Sequence, residues 1–414
     1  MDSEFDLDSQ KSIGEKNLFL ILLLILNIVG IVMVYSSSYI YAKDIHGSPT
    51  YFVIKQLAYL MISISLAFVI SKTKFEFWLK YSYFINFLMT IVVALTFVPG
   101  IGVMVKGANR WIQLGGYSFQ PGEMVKYTVL LSALAYFESF KVYTPKKRIG
   151  FGLLTILPLA LIIAQPDYGT FMICGMGIFF ACYMSSFSRK IFYGLIPIGI
   201  SLGVGLLLAQ PYRVERLKTF LDPWQSPQGS GFQIIQSWMG FANGGLFGKG
   251  LGNSYEKLFY LPEAHNDFIL SVLGEELGFI GVCFMVVLYL SLIFLGFRLS
   301  LQIANRMASL AASSLIFTIG IQSLLNMSVV LGLLPTKGLN LPFISYGGSS
   351  LLSNFFAVGL FLSFVGRSEE ESFTEIHEPT IQNEDFNQRF QRFREQRGDW
   401  QSKDTVGQAP ISRL

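Results

Sequence analysis

The sequence predicts an all-α integral membrane protein, with ten transmembrane helices and a long extracytoplasmic loop between helices 7 and 8. Three observations carry that expectation. Hydrophobic residues make up 52% of the 414-residue chain and charged residues only 14%, where a soluble domain carries about 25% charged residues. The apolar residues gather into runs close to the roughly 20 residues that cross a bilayer as a helix. The lysines and arginines between those runs fall mostly on one side of the predicted membrane, as expected of cytoplasmic loops.

Residues 1–17 read as a cytoplasmic N-terminal segment with five acidic residues and two lysines. The first apolar run, Leu18 to Tyr35, is too long for a cleaved leader and lacks a basic start, so it is a retained span. Further spans are expected near 52–70, 79–98, 122–140, 150–165, 169–185, 191–209, 268–296, 307–332 and 349–365. One set of short loops holds Lys72, Lys74, Lys80, Lys141, Lys146, Lys147, Arg148, Arg189, Lys190, Arg298 and Arg306. The other holds only Lys43, Lys106, Arg110 and Lys337. The richer side is cytoplasmic, which places both termini in the cytoplasm and the 210–267 loop outside. Residues 18–366 then form one membrane domain. The tail, 367–414, mixes Glu, Asp, Gln and Arg with few aliphatic residues and is expected to stay disordered or marginally helical. Cys174, Cys182 and Cys283 lie in apolar runs without metal or disulfide spacing and read as packing residues.

Polar residues at the membrane edge are costly to keep, which makes them the candidates for function. Asp267 stands in Ala264-His265-Asn266-Asp267-Phe268, where a loop runs into an apolar helix. Taken alone it reads equally as a helix cap. Glu123 and Lys126 follow Pro121 at i and i+3 on one helix face. They read either as a self-neutralising pair or as the charged floor of an outward cavity. Arg110 lies just upstream, in Asn109-Arg110-Trp111. The loop near 210–266 is too rich in aromatic residues to be disordered. Its Gly244-Gly245-Leu246-Phe247-Gly248-Lys249 stretch lacks Walker spacing and supports only flexible backbone with Lys249 available. Between Pro335 and Ser350, prolines and glycines exclude a regular helix, so the segment is expected to line a cavity, with Lys337 toward an anionic head group. Asp167, in a tight turn between spans, reads as structural.

These segments resemble the SEDS family (shape, elongation, division and sporulation proteins), from the first span to Gly366. Four ordered motifs carry the resemblance. They are Asn109-Arg110-Trp111 with Gln120-Pro121-Gly122-Glu123, then Gln165-Pro166-Asp167-Tyr168-Gly169-Thr170. After them come Gly248-Lys249-Gly250-Leu251-Gly252-Asn253-Ser254 leading into the Asp267 segment, and finally Pro335-Thr336-Lys337-Gly338 with Ile344-Ser345-Tyr346-Gly347-Gly348-Ser349-Ser350. The Pro-Thr-Lys-Gly form resembles the division branch more than the elongation branch. Departures are Asn266, where Thr is common, and Gly122, where Ser is common; neither removes a charge.

The resemblance implies a glycosyltransferase of the bacterial cytoplasmic membrane. Such an enzyme polymerises lipid II into β-1,4 glycan at the outer face and releases undecaprenyl pyrophosphate. It implies that Asp267 is essential, and the poorly nucleophilic sugar hydroxyl needs a general base such as its carboxylate. Arg110, Lys126, Lys337 and Lys249 are the candidate cations for the leaving pyrophosphate, with Glu123 holding Lys126 and with His265 and Ser345 at the substrate. A divalent cation, Mg2+ or Mn2+, suits pyrophosphate chemistry, but no ligand cluster identifies one. The implied partners are a class B penicillin-binding transpeptidase and other divisome or elongasome proteins, with no nucleic acid. A lipid II flippase and a non-catalytic scaffold are the rival classes. The flippase needs a polar path open to both sides, whereas the charged candidates all map to the outer half.

Overall fold

The computed structural model describes residues 2–105, 107–115, 117–208, 211–229, 231–257, 261 and 264–377. Lys106, Gln210, Pro262, Glu263 and the tail beyond residue 377, all part of the expectations above, lie outside the described residues. The chain divides into two units, Met1–Val365 and Gly366–Leu414.

The predicted spans are helical over most of their length. They are α1 (Asp2–His46), α2 (Tyr51–Ser71), α4 (Ser82–Leu95), α5 (Pro121–Ser139), α6 (Pro145–Ala164), α7 (Tyr168–Met184), α8 (Arg189–Leu208), α11 (Ile269–Leu301), α12 (Arg306–Val330) and α13 (Gly348–His377). Among the described residues six helices are long and apolar enough to cross a membrane: α2, α6, α11, α12 and the apolar parts of α1 and α13. Helices α4 and α7 are apolar but shorter, and α5 carries a buried ion pair in its first turns. Several boundaries differ from expectation. The N-terminal segment continues α1 instead of standing apart, and Glu15 pairs with Arg298 at 2.8 Å. The predicted 79–98 span breaks at Tyr81 into a short α3 (Phe75–Lys80) and α4. The start of the predicted tail is helical as far as His377.

The all-α expectation needs one correction. Residues 102–119 form an antiparallel sheet, β1 (Gly102–Val105), β2 (Ala108–Leu114) and β3 (Tyr117–Phe119), in the order β1-β2-β3. Register pairs include Gly102 with Ile112 and Ile112 with Phe119, with a bulge between Val103 and Met104. Short β-branched and aromatic runs punctuated by glycine favour this hairpin. The long loop is also structured: it contains α9 (Pro211–Leu221), a 3-10 turn at Pro223–Gln225 and α10 (Phe232–Gly244).

The core of the first unit lies along α1, α5, α11, α12 and α13, with α12 and the membrane stretch of α13 about four-fifths buried. Outward faces are apolar and open, as with Phe68 on α2, Ile156 on α6 and Phe294 on α11. That pattern suits helices whose outer faces meet lipid, where every backbone polar group must be satisfied within the protein.

Helix α11 contains the fold's main departure from regularity. At Gly278 the backbone takes φ +70° and ψ −168°, a region open essentially to glycine alone. The break orphans backbone groups, and the glycine-rich loop pairs them. Lys249 N–H donates to Glu275 O at 3.0 Å and Gly250 N–H to Glu276 O at 2.9 Å. In return Phe279 N–H donates to Gly245 O at 2.8 Å and Ile280 N–H to Leu246 O at 3.2 Å. The approach is so close that a Cβ on Gly278 would sit 2.3 Å from Gly248 N. The glycine stretch therefore completes a broken helix, and the expectation of flexible backbone is replaced by this paired one.

Candidate active site

The site is built upward from α5. Pro121 opens the helix at a position where its missing N–H is harmless. One turn later Lys126 Nζ meets Glu123 Oε2 at 2.7 Å, with both residues buried. A buried pair is tolerated only if further hydrogen bonds satisfy it. Gln322 of α12 supplies one, its Oε1 accepting from Lys126 Nζ at 2.5 Å.

Helix α12 carries a buried polar face that includes Thr318, Gln322, Ser323 and Asn326. Gln322 Nε2 donates to Asn340 O at 3.0 Å. Asn326, one turn further, donates through Nδ2 to Asp267 O at 2.9 Å and to Leu339 O. Two separate non-helical segments, 264–268 and 336–347, are thus fastened to one helix face. They also lie close together: a Cβ on Gly338 would sit 3.6 Å from Asp267 Oδ2, so the carboxylate faces the Gly338 backbone. The Lys337 amine is 2.6 Å from the Met172 sulfur on α7, and burial lowers its pKa from the usual lysine value. Arg216 of α9 donates to Thr336 O at 3.0 Å, tying the long loop to the same segment.

Arg110, on β2, donates to the carbonyls of Gln165 and Pro166 at 3.3 and 2.6 Å. A guanidinium has five N–H groups in all, so others remain for a ligand. The next residue, Asp167, caps α7 through the Thr170 N–H at 3.3 Å and accepts from Gln120 Nε2 at 3.1 Å. Gln120 N–H in turn donates to Ser349 Oγ at 2.9 Å. Arg110, Glu123, Lys126, Lys337 and Asp267 are therefore joined through adjoining segments.

Three other sequence candidates have different surroundings. His265 is buried among the rings of Tyr41, Phe52 and Tyr346, the Phe52 ring centroid 4.7 Å away, and its carbonyl accepts from Tyr346 N–H. Ser345 is buried, its Oγ accepting from Leu341 N–H at 2.9 Å to close the 341–345 turn. Lys249 sits at the α11 break, 3.3 Å from Glu275 Oε1 and over the Tyr255 ring. All three hold the walls together in this conformation.

Sequence reasoning passed over Gln322 and Asn326, which are uncharged amides within an apolar run. It also passed over Glu275 and Glu276, whose place inside a predicted span was itself a signal. Glu276 pairs with Lys257 at 2.8 Å and lies 2.6 Å from Ser36 Oγ on α1. Glu275 accepts from the N–H groups of Tyr255 and Glu256. Glu256, buried beside it, has its pKa raised to about 7, first by burial and then by the Glu275 charge, against a lowering by Lys249. Among the described residues no group of three or more His, Cys, Asp or Glu is placed to hold a metal ion.

Helices with apolar outer faces, several long enough to cross a bilayer, define a multi-pass membrane protein. The chain belongs to the FtsW/RodA/SpoVE family, described as cell cycle proteins, whose model matches residues 16–370. It is 38% identical over 359 residues to a probable peptidoglycan glycosyltransferase FtsW of Geobacter metallireducens, covering 85% of this chain and 95% of that one. It is also 38% identical to stage V sporulation protein E of Bacillus subtilis, covering 84% and 95%. Among solved structures it is similar to a chain of a peptidoglycan synthase complex that coordinates polymerization and crosslinking, with TM-score 0.67, 28% identity and coverage of 84% and 97%. The rod shape determining protein RodA of Thermus thermophilus matches with TM-score 0.62, 25% identity and coverage of 84% and 96%.

Proposed function

We propose that this chain is a peptidoglycan glycosyltransferase that polymerises lipid II at the outer face of the bacterial cytoplasmic membrane. In this reading α1, α2, α4–α8 and α11–α13 are ten spans, both termini are cytoplasmic, and the 210–267 loop and Asp267 face outward. The lysine and arginine asymmetry of the short loops supports that orientation. The observation that carries the reading is the approach of the Asp267 carboxylate to the Gly338 backbone, on a helix face that also holds Lys126.

Asp267 takes the proton from the acceptor sugar's 4-hydroxyl as that oxygen attacks C1 of the donor. The C1–O bond to pyrophosphate breaks, the pyrophosphate leaves with the electron pair, and a single displacement inverts the α-linkage to β. Lys337, Arg110 and Lys126 stabilise the charge that grows on the leaving group. Burial works against the charged form of the Lys337 amine, and an anion brought beside it works in favour of that form. Glu123, 2.7 Å from the Lys126 amine, keeps it in place. The apolar outer faces leave the polyprenyl tails in lipid while the sugars react above. A class B transpeptidase is the partner in this reading, which the relative solved within a synthase complex supports.

The test is polymerisation of fluorescent lipid II by the purified chain, with and without a class B transpeptidase. Glycan strands longer than the starting disaccharide are expected. If neither preparation makes strands but vesicles holding the chain move lipid II between leaflets, the reading fails and a flippase takes its place.

A further inference from the structure

We propose that Gln322 and Asn326 are positioning residues of this active site: a two-amide clamp on α12 that sets Lys126 and Asp267 in register. The proposal rests on the polymerase reading above. Gln322 and Asn326 are one helical turn apart, so both amides project from the same face. Each is essentially fully buried and each joins two different segments. Gln322 accepts from the Lys126 amine and donates to Asn340 O. Asn326 donates to Asp267 O and to Leu339 O. Four segments with no local sequence connection, α5, α12, 264–268 and 336–347, meet at these two side chains.

The geometry explains why amides stand here. Lys126 needs an acceptor, while the carbonyls of Asn340, Leu339 and Asp267 need donors. The Gln322 carboxamide offers both on a short stem, and the Asn326 Nδ2 offers the two N–H donors that a carboxylate or hydrocarbon lacks. The non-helical segments carry the general base and Lys337, and lack the internal ladder that would hold a helix in place. The two amides supply that constraint from the most buried face of the core. Reaction geometry is sensitive to small displacements, with a shift of about 1 Å worth roughly a hundredfold in rate.

The test uses the full chain with its transpeptidase, comparing wild type, Asp267→Asn, Gln322→Leu and Asn326→Leu, with Gln322→Glu as the partial replacement. Wild-type strands and none from Asp267→Asn establish the polymerase itself; if wild type makes none, the polymerase reading fails before the clamp is tested. The clamp predicts that each Leu variant loses about ten- to a hundredfold in kcat, with KM for lipid II changed less than about threefold and the thermal midpoint kept. Gln322→Glu retains the acceptor for Lys126 and recovers part of that loss. The proposal is overturned if a folded Leu variant turns over at the wild-type rate. It is equally overturned if the loss lies in KM alone, if Gln322→Glu is no better than Gln322→Leu, or if both Leu variants fail to fold, since amides needed only for packing give that result.

Discussion

The ion pair between Lys257 and Glu276 gives the sharpest stability prediction. Glu276 is fully buried in α11, 2.8 Å from the Lys257 amine, and its other close donor is the Ser36 hydroxyl of α1. Lys257→Met keeps the side chain's length but leaves a buried carboxylate facing one hydroxyl. Breaking a buried pair in this way costs about 3–5 kcal/mol, far more than the roughly 0–1 kcal/mol of a surface pair. Glu276→Gln leaves the ammonium in the same position and is expected to cost a comparable amount. Removing both charges in Lys257→Met/Glu276→Gln leaves neither uncompensated, so the double variant should be more stable than the sum of the singles by about 2 kcal/mol or more. The assay is denaturant unfolding in mixed micelles, followed by tryptophan fluorescence. Single variants within about 0.5 kcal/mol of wild type, or strictly additive effects, would refute the reasoning.

Further outcomes follow from the same geometry. Gly278→Ala places a Cβ 2.3 Å from Gly248 N at a glycine-only backbone angle. It should lower stability by about 3 kcal/mol or more and speed hydrogen exchange at Phe279 and Ile280, whose N–H groups lose their partners; wild-type exchange there would contradict it. Glu256 has a folded pKa raised to about 7, so it weakens the fold increasingly as pH rises from the unfolded value toward and past 7, and not at pH 4. Glu256→Gln should therefore stabilise the protein by about 1–2 kcal/mol at pH 8, allowing for solvent screening, and leave stability at pH 4 unchanged. A thermal midpoint that is equal at both pH values would contradict that sign. Lys337→Ala should reduce kcat by about a hundredfold by removing one cation from the leaving group, whereas a loss confined to KM would assign Lys337 to ground-state binding.

The helices were legible because a 20-residue apolar run is a strong local signal, and the predicted runs are helical over most of their length, with the 79–98 run broken at Tyr81. What escaped were features that depend on contacts distant in sequence. The break at Gly278 lies inside an apolar run that reads as continuous, and only the glycine loop more than 25 residues upstream reveals it. That loop resembled flexible backbone because its glycines serve close approach to α11, which composition does not distinguish from mobility. The small sheet was missed because its strands are short and sit between membrane runs. Site candidates were found wherever a charge met a membrane edge, which is how Asp267, Glu123, Lys126, Arg110 and Lys337 entered. Gln322 and Asn326 escaped that search because they are neutral, yet buried amides carry strict partner requirements.

The measurement that bears most directly on the account is single-turnover polymerisation of lipid II by wild type and Asp267→Asn, with thermal unfolding of both proteins measured in parallel. The account predicts a loss of about a thousandfold or more in the asparagine variant at an unchanged unfolding midpoint, with Asn326 still holding the backbone carbonyl of residue 267. Turnover within tenfold of wild type, or a loss that merely tracks unfolded protein, would contradict it.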